Sequence, residues 1–198
     1  MKKTTLLLLF SVLLVSCNLP SYVFVDNAIA TGLDLREGKW LLNEIVDPTT
    51  TSNAAKNLIV KKLGNRLGNR LTYTNDSKGL LLPKNVKSNP TKENIRDLKK
   101  GSGFDFFINV KIILKNNSLS DLDLTNNKFN KNLSKSVEVL FEVYDLNGIA
   151  ITYSKKVIGS VGIAENNNSD INFSKSTSKL VLGCLNKIIR DIEKKSIK

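Results

Sequence analysis

Histidine is missing from the 198 residues of this chain. With it go the commonest general base, the serine- and cysteine-protease arrangements that depend on an imidazole, and nearly every zinc site with a histidine ligand. Carboxylate-only chemistry survives that exclusion, but the acidic residues form no sharp cluster. Asp121 and Asp123 are near neighbours, yet they lie in an Asn-rich stretch that reads as turn chemistry. Acid is scarce altogether: 18 Asp and Glu face 30 Lys and Arg, for a formal net charge of +12. Long apolar runs are absent too. The one candidate, Leu6 to Leu14, is broken by Ser11 and is too short to cross a bilayer as a mature helix. Tryptophan occurs once, and in Lys39-Trp40-Leu41-Leu42 it reads as core rather than as an exposed ligand platform. The Phe104, Phe106 and Phe107 cluster likewise suits a sheet with helices against it better than a cofactor site, and no cofactor is expected.

What is present at the N-terminus is more informative. Lys2 and Lys3 form a charged start, the apolar stretch follows, and Leu14-Val15-Ser16-Cys17 closes it. These four residues resemble the lipobox of bacterial lipoproteins: a Leu, a small or aliphatic residue, a small residue and an obligate Cys. The resemblance implies a signal peptide over 1–16, diacylation of the Cys17 thiol, and a mature chain that begins at Cys17. Each buried acyl CH₂ contributes about 0.8 kcal/mol, so a triacylated cysteine exceeds the two membrane signals that stable attachment requires. Asn18 follows. By resemblance to the enteric sorting rule, in which Asp at this position retains lipoproteins in the inner membrane, Asn implies the outer membrane. Lipidation of Cys17 leaves Cys184 with no partner in the chain, so no intramolecular disulfide is expected. Cys184 falls on the apolar face of a C-terminal helix and reads as a small buried hydrophobe.

Hydrophobic residues make up 41% and charged residues 24%, a globular composition. The expected organisation is a signal over 1–16, a lipidated N-terminus and tether over 17–38, and a single domain over 39–198, close to the usual domain size. Within the tether, Tyr22-Val23-Phe24-Val25 could add an edge strand. The excess of positive charge would draw a cytosolic protein to nucleic acid. On an envelope lipoprotein the polyanions at hand are phospholipid headgroups, lipopolysaccharide and acidic wall polymers, and a solvated, solubilising surface accounts for the charge equally well.

Lys39 to Val46 reads as a first strand ended by Asp47-Pro48. Thr49 to Ser52 offers N-cap candidates for a helix with Ala54, Ala55, Leu58, Ile59, Leu63 and Leu67 on one face. Gly64 and Gly68 within it suggest close packing on the sheet or a fraying end. Arg70–Thr74 and Gly79–Pro83 flank a turn-rich tetrad, which suggests a strand or short hairpin. A second, charged helix starts with Asn89 as cap and Pro90 at its first position, and stops at Gly101. Phe104 to Leu114 is the clearest strand, with Phe104, Phe106, Ile108, Val110 and Ile112 on one face. After a polar stretch over 116–133, Val137, Val139, Phe141 and Val143 alternate with Glu138, Leu140, Glu142 and Tyr144, and Asn147-Gly148 signals a hairpin into Ile149–Gly159. Phe173, Thr177, Leu180, Val181, Cys184, Leu185, Ile188, Ile189 and Ile192 then stripe a long helix with Lys and Arg at its end. This order predicts an α/β (α+β) fold, a mixed sheet of about five strands with two to three helices packed mainly on one face.

The junction Leu98-Lys99-Lys100-Gly101-Ser102-Gly103-Phe104-Asp105-Phe106-Phe107-Ile108 is similar to the Gly-x-Asp-aromatic-hydrophobic junction of periplasmic accessory lipoprotein domains. Tyr144-Asp145 resembles their hydrophobic-Tyr-Asp strand end. Those families are the penicillin-binding-protein activators, the curli-secretion channel lipoprotein and the N-terminal domain of the Tol translocation protein. The likeness implies a non-enzymatic domain that recruits or assembles with another envelope protein, and it carries over no catalytic residue. With the lipobox and the basic charge, the expected domain faces the periplasm and its partner is an envelope protein or an anionic envelope polymer. The chain lacks a counterpart to the membrane-spanning segments of the curli channel protein, which speaks against secretion. Two other classes stand beside this reading. One is a carboxylate hydrolase of wall glycan, which would need paired acids about 5 to 9 Å apart. The other is a surface-exposed adhesin or nutrient-binding lipoprotein, for which Asn18-Leu19-Pro20-Ser21 lacks the expected acidic run.

Overall fold

A computed structural model describes residues 19–25, 29, 33–76, 86, 89–115, 134–162 and 170–197. The chain order is β1 (Ser21–Val25), β2 (Trp40–Leu42), α1 (Ser52–Leu67), β3 (Leu71–Tyr73), α2 (Lys92–Ser102), β4 (Phe106–Lys115), β5 (Ser134–Asp145), β6 (Ala150–Gly162) and α3 (Asp170–Lys195). The strands form one mixed sheet in the order β1-β6-β5-β4-β2-β3. Pairing is antiparallel from β1 to β4 and parallel where β2 lies between β4 and β3. The α/β architecture and the long C-terminal helix are those read from the sequence. The sheet has six strands rather than about five, because β1 forms the edge that Tyr22–Val25 suggested, and Leu33 and Leu35 of the same segment are buried in the core.

Period-two alternation sends successive side chains to opposite faces. Trp40, Leu42, Ile108, Val110, Ile112 and the Val137–Val143 series meet α1 and α3 on one face, through Ala55, Ile59, Leu63 and Leu67 and through Leu180 to Ile192. Leu41, Phe107 and Tyr144 point the other way, onto Ile95 and Leu98 of α2. Two helices thus cover one face and the short helix covers one end of the other. The α3 stripe is buried from Thr177 to Ile192, while the side chain of Phe173 lies outside the described residues.

Several boundaries differ from expectation. Ala54 is exposed, because α1 turns Ala55, Ile59, Leu63 and Leu67 inward at a strict i, i+4 spacing. The space around Gly64 is open, so close packing does not explain it; Gly68, with φ of +56°, ends α1. α2 is capped by Thr91 rather than Asn89, in a capping box with Asn94, and runs through Gly101. It stops at Gly103, which takes the left-handed conformation that a Cβ disfavours. Phe104 precedes β4 and packs with the α2 cluster rather than alongside Ile108. The β5–β6 turn places its positive φ on Ile149 and not on Asn147-Gly148, so the connection is a four-residue loop in place of a two-residue Asn-Gly turn. Ile149 packs against the α2 cluster, which holds it there, and Gly148 leaves room for the Asp145 carboxylate 2.8 Å from where a Cβ would stand. The segments 79–83 and 121–123 lie outside the described residues.

Candidate functional site

Strand β1 lies between β6 and α3. Its Tyr22 ring rests on Gly183 of α3, where any Cβ would overlap the ring, and beside Gly159 of β6. A glycine inside a helix costs about 0.5–1 kcal/mol relative to alanine, and at Gly183 the docked ring accounts for it. Lys187 clamps the strand from above: its Nζ donates to the Tyr22 carbonyl at 2.6 Å and sits 5.2 Å from the Phe24 ring centre. Lys155 Nζ stands 5.5 Å from the same ring. Burial, reinforced by the neighbouring Cys184 thiol, raises the Tyr22 pKa. Cys184 is itself buried and pushed up to about 12, chiefly by desolvation, so it behaves as the inert hydrophobe read from the sequence.

The seam between β1 and α3 opens into a groove of about 600 Å³, lined by Tyr22, Phe24, Gly183, Lys187, Arg190, Asp191 and Lys194 among others. That volume falls in the usual range of small-molecule sites, roughly 300–1,000 Å³. Asp191, the one acid of the lining among the described residues, is occupied: it accepts from the Tyr153 hydroxyl at 3.1 Å and pairs with Lys195 at 2.9 Å. Burial and that carboxylate together hold the Tyr153 phenol protonated far above its ordinary range. Arg190 and Lys194 are exposed and have no ion pair or hydrogen bond among the described residues.

A second, smaller cleft of about 370 Å³ has the opposite charge and is lined by Asp34, Glu37, Gly38, Asp105, Phe106 and Asn147. Here two of the acids are already committed. Asp34 takes the Arg36 guanidinium through both oxygens at 2.7 and 2.9 Å, and its carboxyl is held down to about 2. Asp105 accepts from the Lys99 ammonium at 2.8 Å, from the Lys39 amide at 2.9 Å and from Asn147 at 3.3 Å. It therefore joins the end of α2, the start of β2 and the β5–β6 turn, and the cleft is a structural joint. Beneath α2 a buried polar chain runs from Asn43 through Asn109 to Glu142, whose Oε2 also accepts from the Tyr144 hydroxyl at 2.9 Å. It links the residue after β2 to β4 and β5, and neither of these two pockets reaches it.

Cys17, Asp121 and Asp123 lie outside the described residues. Trp40 is core: it stacks on Phe106 at 4.3 Å and donates its indole N–H to the Glu37 carbonyl. Phe104 and Phe107 share the α2 cluster and Phe106 the opposite one, so the three aromatics line no common site. Among the described residues no three His, Cys, Asp or Glu are placed to hold a metal, and no helix is long and apolar enough to cross a membrane. The groove was missed in the sequence. Its available signal was the i, i+3, i+7 spacing of Lys187, Arg190 and Lys194 on the polar side of the C-terminal stripe.

The sequence matches no family model and no curated protein. Similar solved structures include the PelC dodecamer from Paraburkholderia phytofirmans, at 11% identity over 91% of this chain and 100% of that one, TM-score 0.45. Another is the hypothetical protein CT253 from Chlamydia trachomatis, at 14% identity over 80% and 95%, TM-score 0.43. A third is lipoprotein GNA1162 from Neisseria meningitidis, at 13% identity over 77% and 99%, TM-score 0.38. Likeness at this level leaves function to the residues of this chain.

Proposed function

We propose that this protein is a lipid-anchored component of the bacterial envelope, acylated at Cys17 and facing the periplasm from the outer membrane, whose domain binds an anionic envelope component without catalysing a reaction. The observation that carries the reading is the position of β1. Only Asn18, Leu19 and Pro20 separate the lipobox cysteine from Ser21, where the edge strand begins. Four residue steps reach at most roughly 14 Å, so acylation at Cys17 would hold the β1 edge close to the lipid surface. On the α3 wall of the groove formed by that same strand, Arg190 and Lys194 have no ion pair among the described residues. In the acidic cleft, the Asp34 and Asp105 carboxylates are already spent on internal ion pairs, which supports a binding role over an acid-base one.

Metabolic labelling with a fatty-acid analogue tests the anchor. Wild-type protein should take up label and fractionate with membranes, while Cys17→Ser should remain as unlabelled precursor. Undiminished label on the variant would remove the lipobox reading and the placement built on it.

A further inference from the structure

Several carboxylates in this fold are answered locally: Glu138 stands between Lys115 and Lys156, Asp105 takes Lys99, and Asp34 takes Arg36. The β1–α3 groove instead gathers three cations on one stretch of helix. Lys187, Arg190 and Lys194 follow one another along roughly 10 Å of helix at 1.5 Å per residue. Asp191 between them is engaged by Tyr153 and Lys195. The groove is also two-ended. Tyr22 and Phe24 supply rings beside Gly183 and Lys187, and Arg190 and Lys194 supply charge one to two turns further on.

We propose that this groove binds an amphiphilic phosphate monoester, with the phosphate between Arg190 and Lys194 and the apolar or sugar part on Tyr22 and Phe24. The inference rests on the reading of the chain as an anion-binding envelope protein and names its ligand class. A phosphate monoester carries close to two negative charges and three peripheral acceptor oxygens, which match the guanidinium of Arg190 and the ammonium of Lys194 together. A carboxylate brings a single charge to the same pair of cations. The aromatic floor favours an ester carrying a non-polar or sugar face over inorganic phosphate. Such a ligand can come from the membrane, as a lipid headgroup, or from solution, as a sugar or glycerol phosphate.

The test is calorimetric titration of the full chain in neutral detergent with dihexanoyl phosphatidate, glycerol phosphate and trigalacturonate. At least one phosphate ester should bind better than the carboxylate sugar. Arg190→Gln/Lys194→Gln should weaken it tenfold or more, while Lys61→Gln/Lys62→Gln, exposed cations of α1, should not. Phe24→Ala should weaken the lipid more than glycerol phosphate. Preference for the lipid assigns the ligand to the membrane, and equal binding assigns it to solution; either supports the site. Phosphate binding that survives the double variant overturns the proposal. Binding of trigalacturonate alone overturns the ligand class while the envelope-binding reading stands, and no binding of any of the three removes both.

Discussion

Asp105 is held near a pKa of about 2, against an ordinary 3.8, first by the Lys99 ammonium, next by the Lys39 amide and then by Asn147. A carboxyl whose folded pKa lies below its unfolded value stabilises the fold in its ionised form. Its contribution is full above about 3.8 and is lost as pH falls toward 2. Asp105→Asn should therefore cost about 1–2 kcal/mol at neutral pH, a charged hydrogen bond discounted for a side chain roughly one-third exposed. The gap in melting temperature between variant and wild type should shrink between pH 5 and pH 2. A gap that stays constant over that range would show that the charge of Asp105 contributes nothing. The aromatic-Asp-aromatic motif was legible in the sequence, but its purpose was not. Two of the three partners, Lys39 and Asn147, come from segments 66 and 42 residues away, and no local pattern announces them.

Elements whose signals are local were the legible ones. The alternation of Val137 to Tyr144 and the stripe of α3 are written in one segment each, and both elements form where that pattern places them. Helix ends shifted by about two residues because Thr91 offered a complete capping box and Gly103 the left-handed stop. Strand β1 is the opposite case. Its β-forming composition is plain, but whether five residues join a sheet depends on the slot that Gly159 and Gly183 make for Tyr22. Gly183→Ala separates the two contributions. Helix propensity alone would stabilise α3 by up to about 1 kcal/mol, whereas displacing the Tyr22 ring should cost about 1–3 kcal/mol, as overpacking does. The single variant should thus be less stable than wild type, with faster hydrogen exchange at the β6 amides of residues 156–160. In a Tyr22→Ala background the same change should become neutral or stabilising. A Gly183→Ala protein more stable than wild type in both backgrounds would mean that Tyr22 does not occupy the slot.

At the scale of the molecule, α3 has two duties on opposite sides. Its inner stripe from Leu180 to Ile192 closes the larger cluster against β4, β5 and β6, and its outer side carries Lys187, Arg190 and Lys194 over the groove. Those duties are separable at single positions, since Leu185 is fully buried whereas Arg190 and Lys194 are exposed. Leu185→Asp removes packing worth about 2–5 kcal/mol and adds an unpaired buried carboxylate, a total comparable to the ~5–15 kcal/mol that holds a typical domain together. Because the two clusters share one sheet, with Trp40 and Leu42 on the face that α1 and α3 cover and Leu41 between them facing α2, losing the first should carry the second with it. Trp40 fluorescence and the near-ultraviolet signal of Tyr144 on the α2 side should collapse in one transition. Arg190→Gln/Lys194→Gln should keep the wild-type melting temperature within about 1 kcal/mol of stability. If Leu185→Asp instead melted like wild type and lost only binding to the proposed envelope ligand, α3 would be an exposed interaction helix, and the groove beside it could not be the rigid seam from which that ligand was inferred.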